Sequence, residues 1–145
     1  MFKNLLLPTD GSAVSEAAIR KALGFAREGK ARVTGLHVMH PFHLFSYNVE
    51  MIEDTREVYE RDCQAHAEAY LASIERAAKE LDVPCETVLV RADHPYEAII
   101  RCAEQRSCDL IVMASHGRRG MQALLVGSET QKVLTHSKLP VLVLR

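Results

Sequence analysis

The chain has 145 residues, which suits one domain around one core, here taken as residues 1–145. A net charge of −1 argues against nucleic acid and anionic membrane surfaces as partners, because both need a clustered basic face. No apolar run approaches the ~20 residues that cross a bilayer, and Leu5-Leu6-Leu7 is cut off by Pro8-Thr9-Asp10 far short of a signal core. The four cysteines form no CxxC pair and read as free thiols, so the cytoplasm is the expected location.

Apolar periodicity alternates between short β-rich runs and longer helical stretches. The first strand is expected at 4–7. Ser12 then caps a helix over 13–27, with Glu16 in its first turn and Val14, Ala18, Ala22 and Phe25 on one face. A second strand over 33–39 is closed by His40-Pro41, and an irregular aromatic stretch follows at 42–47. A long helix over 52–81 carries Cys63, Ala67, Tyr70, Ile74 and Leu81 at helical spacing, and Asp82-Val83-Pro84 ends it. The third strand is 86–90. Pro95 suits the first position of a helix reaching 106, with Tyr96, Ile99, Ile100 and Ala103 inward. Strand 110–114, a loop over 115–127, helix 128–136 and a last strand Val141–Leu144 complete the chain.

Strands one, two, four and five are nearly continuous apolar runs, as in a parallel sheet covered by helices. The alternation implies an α/β, doubly wound five-stranded parallel sheet in the order 3-2-1-4-5, with helices on both faces. In such sheets ligands bind beyond the carboxyl ends of the strands, where the strand order reverses. The residues just after strands one, two and four are therefore the ones that matter.

After strand four comes Met113-Ala114-Ser115-His116-Gly117-Arg118-Arg119-Gly120, leading to Val126-Gly127-Ser128-Glu129-Thr130-Gln131 at the start of a helix. Glycines allow a backbone to approach a ligand closely. A helix N-terminus presents free N–H groups and a partial positive charge, which suits phosphate. Ser128 adds a hydroxyl, and Arg118 and Arg119 add positive charge. The same residues also fit plain turns, with Ser128-x-x-Gln131 as a capping box. There is no GxxxxGK[ST] and no GxGxxG after the first strand, so neither a P-loop nor a dinucleotide-binding fingerprint is present.

These segments resemble the universal stress protein family over the whole chain. Leu6-Leu7-Pro8-Thr9-Asp10-Gly11-Ser12 matches that family's start, with Ser15 and Ala18 following, and Leu36-His37-Val38 its second strand. Asp109-Leu110-Ile111-Val112-Met113 leads into Ser115-His116-Gly117-Arg118, and Gly127-Ser128 and Pro140-Val141-Leu142-Val143 complete the likeness. The ATP-binding branch carries G-x2-G-x9-G-[ST]; here Gly117 and Gly127-Ser128 keep the spacing and Ala114 stands at the first glycine. The resemblance implies a fold of the adenine nucleotide alpha hydrolase kind, ATP or another adenine nucleotide as ligand, with or without Mg²⁺, and a role in stress response or regulation. It implies Pro8, Thr9, Asp10 and Val38 at the adenine and ribose end. Met113, Ala114, His116 and Gly117 would line the ribose and first phosphates, and Gly127, Ser128, Glu129 and Thr130 would hold the outer ones. It further implies a homodimer through the last strand, Val141–Leu144. A slow ATPase, and an interaction protein without nucleotide, are the alternatives.

Other residues are weaker candidates. Asp10 fits a turn residue in Asp-Gly-Ser as well as a ligand contact. His37, His40 and His43 are spaced by three, which on a strand puts His37 and His40 on opposite faces, so no metal site is expected there. His116 fits a phosphate contact, a base or a backbone-bonded loop residue, and His136 a structural role at a helix end. Tyr59 and Tyr70 read as core or interface. No catalytic set is assembled, and with no Walker-type lysine and no assigned carboxylate, hydrolysis is expected to be negligible.

Overall fold

A computed structural model describes residues 1–41, 49–117 and 125–145, with side chains of the long helix described from Thr55 onward. The aromatic stretch at 42–47 with His43, and Arg118, Arg119 and Gly120, lie outside the described residues. Among the described residues the chain alternates strand and helix: β1 Asn4–Thr9, α1 Ala13–Gly29, β2 Arg32–Met39, α2 Val49–Glu80, β3 Cys85–Arg91, α3 Pro95–Gln105, β4 Leu110–Ala114, α4 Ser128–His136 and β5 Val141–Leu144. The strands form one parallel sheet in the order β3-β2-β1-β4-β5, as the apolar pattern implies.

Two buried layers sandwich the sheet. Alternation along β1 sends Leu5 and Leu7 to one face, where Ile19, Leu23 and Ala26 of α1 and Leu71 and Ile74 of α2 cover them. Leu6 goes to the other face, with Leu36, Ile99 and Cys102, Met113 and Val133. α1 and α2 therefore lie on one side, and α3 and α4 on the other. No helix among the described residues is long and apolar enough to cross a membrane.

The helix faces differ from the simple periodic reading. α1 buries Ser15, Ala18, Ile19, Ala22, Leu23 and Ala26, whereas Phe25 is 39% exposed. The helix lies on its alanines, whose small side chains let it approach the sheet, and this turns Phe25 outward. α2 buries Ala67, Leu71, Ile74 and Ala78, leaving Cys63, Tyr70 and Leu81 half-buried at the margin of the stripe. In α3 the centre is Ala98, Ile99, Cys102 and Ala103, with Tyr96 and Ile100 packed at its border.

The two neighbours of β1 are paired to different lengths. β1 pairs with β2 from Asn4 through Thr9, two residues beyond the predicted strand end. Its register with β4 covers only Leu5↔Leu110 and Leu6↔Ile111. Pro8 has no N–H to give a neighbouring strand. Beyond Leu6 the pairing of the two central strands stops, at the carboxyl edge where the strand order reverses.

Candidate functional site

The first side of this edge is the turn after β1. Thr9 is buried, and its Oγ1 accepts from Gly11 N–H at 3.1 Å and from Ser15 Oγ at 3.1 Å. Asp10 Oδ1 accepts from Ser12 N–H at 2.9 Å, an Asx turn that fixes the carboxylate. Ser12 Oγ in turn accepts from Ser15 N–H at 3.2 Å and caps α1. Asp10 thus fills the turn role that was one of its two readings. Its other oxygen, Oδ2, sits where a side chain on Gly117 would stand. The turn after β1 and the loop after β4 are in contact through this pair.

The second side is the loop after β4. Ala114 is the last residue of β4, paired with Leu144, and its φ is not in the left-handed region. Ser115 is buried and its N–H donates to Leu144 O at 2.8 Å. Ser115 Oγ and His116 Nδ1 share a hydrogen bond of 3.0 Å, so His116 is held by a side chain rather than by backbone. Gly127 N–H donates back to Ser115 O at 2.6 Å, closing the loop over its own base.

α4 starts at this closure. Its N-cap is Gly127, with no side-chain cap; the anticipated capping box between Ser128 and Gln131 does not form. Gln131 Nε2 donates instead to Val126 O at 2.9 Å. A glycine N-cap has no oxygen to offer, so the first-turn amides are left for another acceptor. Ser128, half of the anticipated box, is exposed at the mouth.

Three of the anticipated contact residues turn their side chains away from that mouth. Thr130 is buried, and its Oγ1 donates to Ala114 O at 3.0 Å. Glu129 Oε2 accepts from Tyr96 N–H at 3.0 Å, and its Oε1 from Lys132 Nζ at 3.1 Å. Met113 is buried in the α3–α4 layer. Each has only its backbone to offer a ligand. Val38 packs against the same layer from the end of β2, and Pro8 lies half-buried on β1 opposite Leu36.

Two neighbours escape the sequence reading. His37 pairs in register with Thr9, and its Nδ1 donates to Thr9 O at 2.8 Å. A carbonyl can only accept, so this bond fixes the proton on Nδ1 and leaves Nε2 as the acceptor in the neutral ring. Tyr70 reaches from α2 to pack on Gly11, with its ring 5.2 Å from that of His37 at 72°. The clue was the register: in a parallel sheet, the end of β2 must lie beside the end of β1. Among the described residues no group of three His, Cys, Asp or Glu converges as a metal site. A hollow of ≈ 440 Å³ lined by Glu75, Lys79, Asp82, Val83, Pro84 and Cys85 lies at the start of β3, at the opposite sheet edge. It is remote from this loop system, and Glu75 is already engaged by Thr87 Oγ1 at 2.6 Å.

The sequence profile of the universal stress protein family matches residues 1–145. The chain belongs to the universal stress protein family. A universal stress protein of Thermus aquaticus, from the 3′ region of the QAH/OAS sulfhydrylase gene, is 32% identical over 145 residues and covers 100% of both chains. The solved structure of MJ0577, a universal stress protein of Methanocaldococcus jannaschii, superimposes with a TM-score of 0.84 at 27% identity, covering 99% of this chain and 96% of that one. A universal stress family protein from Arabidopsis thaliana, solved with AMP bound, has a TM-score of 0.70 at 18% identity over 98% of this chain and 90% of its own. Residues Pro8 to Gly11 and Ser115 to Gly117, which carry the family likeness here, are those that line the carboxyl edge of this universal stress protein's sheet.

Proposed function

We propose that this universal stress protein binds ATP or a close adenine nucleotide, with or without Mg²⁺, at the carboxyl edge of the sheet between β1 and β4, and acts in stress response or regulation as a homodimer joined through β5. One observation carries the reading. Of the three helix N-termini whose caps are described, α1 is served by Ser12 Oγ and α3 by the Glu129 carboxylate. Among the described residues α4 is left without a side-chain acceptor, and it opens beside Asp10, His116 and Gly117. An uncapped helix start retains free N–H groups and the positive end of the helix dipole, which phosphate would satisfy.

The rest of the arrangement supports the same ligand. Backbone N–H groups of Ser128, Glu129 and Thr130, with the Ser128 hydroxyl, would take the outer phosphates. Gly117 and His116 would lie along the inner ones, and Pro8, Thr9, Asp10 and Val38 would meet ribose and base. Asp10, already fixed by Ser12 N–H, would accept from ribose hydroxyls. An adenine nucleotide on this fold has a precedent in the AMP complex of the Arabidopsis thaliana protein. At that distance the likeness carries the fold, and the contacts are argued from this chain's residues.

Calorimetry on nucleotide-stripped protein is the test. Saturable heat with ATP at a Kd below 1 mM, equivalent to more than ~4 kcal/mol of binding, is the expected result. Absence of heat at millimolar ATP would leave a protein that works through protein contacts alone.

A further inference from the structure

α3 and α4 pack against each other on one face of the sheet, and both start at its carboxyl edge. Two positive helix ends therefore lie close together, and an anion would have a choice of either. α3 is poorly equipped to cap itself. His94 precedes it with no side-chain cap bond, and Pro95 at its first position has no N–H. Tyr96 N–H is the first amide that needs an acceptor, and Glu129 of α4 supplies it at 3.0 Å.

The bond belongs to a larger clasp. Glu129 Oε1 accepts from Lys132 Nζ at 3.1 Å, and the same ammonium lies 5.6 Å from the centre of the Tyr96 ring. His136 closes the far end, its ring 5.1 Å from Tyr96 and its Nδ1 donating to Lys132 O at 2.8 Å. Tyr96, Glu129, Lys132 and His136 thus fasten one helix to the other. The next residue, Thr130, ties the same turn of α4 to Ala114 O of β4 at 3.0 Å.

An acidic side chain in a first turn ordinarily serves its own helix, through a capping box or the dipole. There it would compete with phosphate for the same amides. Here the carboxylate is committed to α3, and among the described residues no side chain caps the first turn of α4. We infer that Glu129 is a positioning residue for phosphate: its carboxylate fixes the first turn of α4, occupies the start of α3, and so directs the anion to α4. The inference rests on the nucleotide reading above and deepens it.

Its test separates phosphate from base. ATP and adenosine are titrated calorimetrically into wild type, Glu129→Ala and Glu129→Gln, at a temperature where circular dichroism shows all three folded. Glu129→Ala is expected to weaken ATP roughly tenfold, as for a small misplacement of a binding element, and to leave adenosine unchanged. Glu129→Gln, whose amide oxygen still accepts from Tyr96 N–H, recovers most of that loss. ATP binding in Glu129→Ala equal to wild type overturns the inference, as does an equal loss for ATP and adenosine, which would mark a merely structural role. A wild type that binds no adenine nucleotide overturns the site reading and the inference with it. Failure of the inference alone leaves wild-type binding intact.

Discussion

The phenol ring of Tyr70 lies against the α-carbon of Gly11, in the space a side chain there would fill. Gly11 also has a φ of +78°, in the left-handed region. Two separate constraints meet at one residue, and this residue shapes the turn that holds Asp10. Gly11→Ala should cost roughly 1–2 kcal/mol for the backbone alone, with a further ~1–3 kcal/mol for the displaced ring. Urea denaturation measures the sum. Adding Tyr70→Ala should relieve the crowding without relieving the backbone strain, so the Gly11→Ala penalty should shrink in that background but not vanish. A penalty that is unchanged would show that the ring is not the obstacle.

Gly127 is constrained differently. Its φ is −59°, which any residue adopts, so the need for glycine is one of space. A Cβ there would stand 3.1 Å from His116 Cα and 3.5 Å from Ser115 O, both backbone atoms. The start of α4 would have to shift. Charge-assisted hydrogen bonds are worth ~1.5–3 kcal/mol, so Gly127→Ala should weaken ATP roughly 10- to 100-fold and Gly127→Val should abolish detectable binding. Wild-type affinity in Gly127→Val would place the phosphates elsewhere.

Much of this was legible in the sequence. β4, α4 and β5 match their predicted bounds, and the strand order follows from alternating strands and helices. The early end of the β1–β4 pairing was less so, because Pro8 reads as a strand end although β1 continues through it on its β2 side alone. Side-chain direction was the weakest inference. Glu129 and Thr130 lie in the first turn of α4 and Met113 on β4, and their side chains face α3, β4 and the core. A motif gives the position of a residue along the chain. Which neighbour its side chain meets depends on elements distant in sequence, such as Tyr96, 33 positions before Glu129. The capping box failed for a related reason: Gly127 cannot start one, and Gln131 finds Val126 O instead.

Burial makes the thiols a pH-dependent part of stability. It pushes Cys108 up to about 11 from 9.0, and Cys85 likewise to about 11, with the Glu75 charge adding to the effect at Cys85. Cys102 is raised in the same direction by burial. A raised folded pKa means the native state holds the proton more tightly than the unfolded chain does. That stabilisation is fully present below 9.0 and is lost as pH rises through about 11. Stability to urea should therefore fall between those values. The fall should be shallower in Cys108→Ala, which has one fewer such group. Iodoacetamide at pH 8 should leave Cys108 of the folded protein unmodified; rapid labelling there would contradict the burial argument.

β5 lies at the sheet edge, with Val141, Leu142, Val143 and Leu144 each half-buried. An apolar edge strand offers unpaired amides and carbonyls to a second copy, and a two-fold contact would satisfy both chains at once. Sedimentation should therefore show a dimer at micromolar concentration. Val143→Lys should give a folded monomer, because the charge would be brought against its own symmetry mate. A monomeric wild type would dispose of the interface.

The decisive substitution for the family motif is Ala114→Gly. Glycine is indispensable where φ is positive or where a Cβ would strike a neighbour. Ala114 meets neither condition on the backbone side: it is the last residue of β4, paired with Leu144, with no left-handed φ. Its carbonyl already accepts from Thr130 Oγ1, so the strand end is anchored whichever residue stands there. The methyl group is the smallest addition a glycine site can receive, and it costs affinity only to the extent that it touches the ligand. Ala114→Gly should accordingly bind ATP as well as wild type or somewhat better. It should also lose ~0.5–1 kcal/mol of stability to the added freedom of the unfolded chain. Calorimetry and urea denaturation on the same preparation read both quantities. Binding that is absent in wild type and appears in Ala114→Gly would show that one methyl group has turned an adenine-nucleotide site into a closed one.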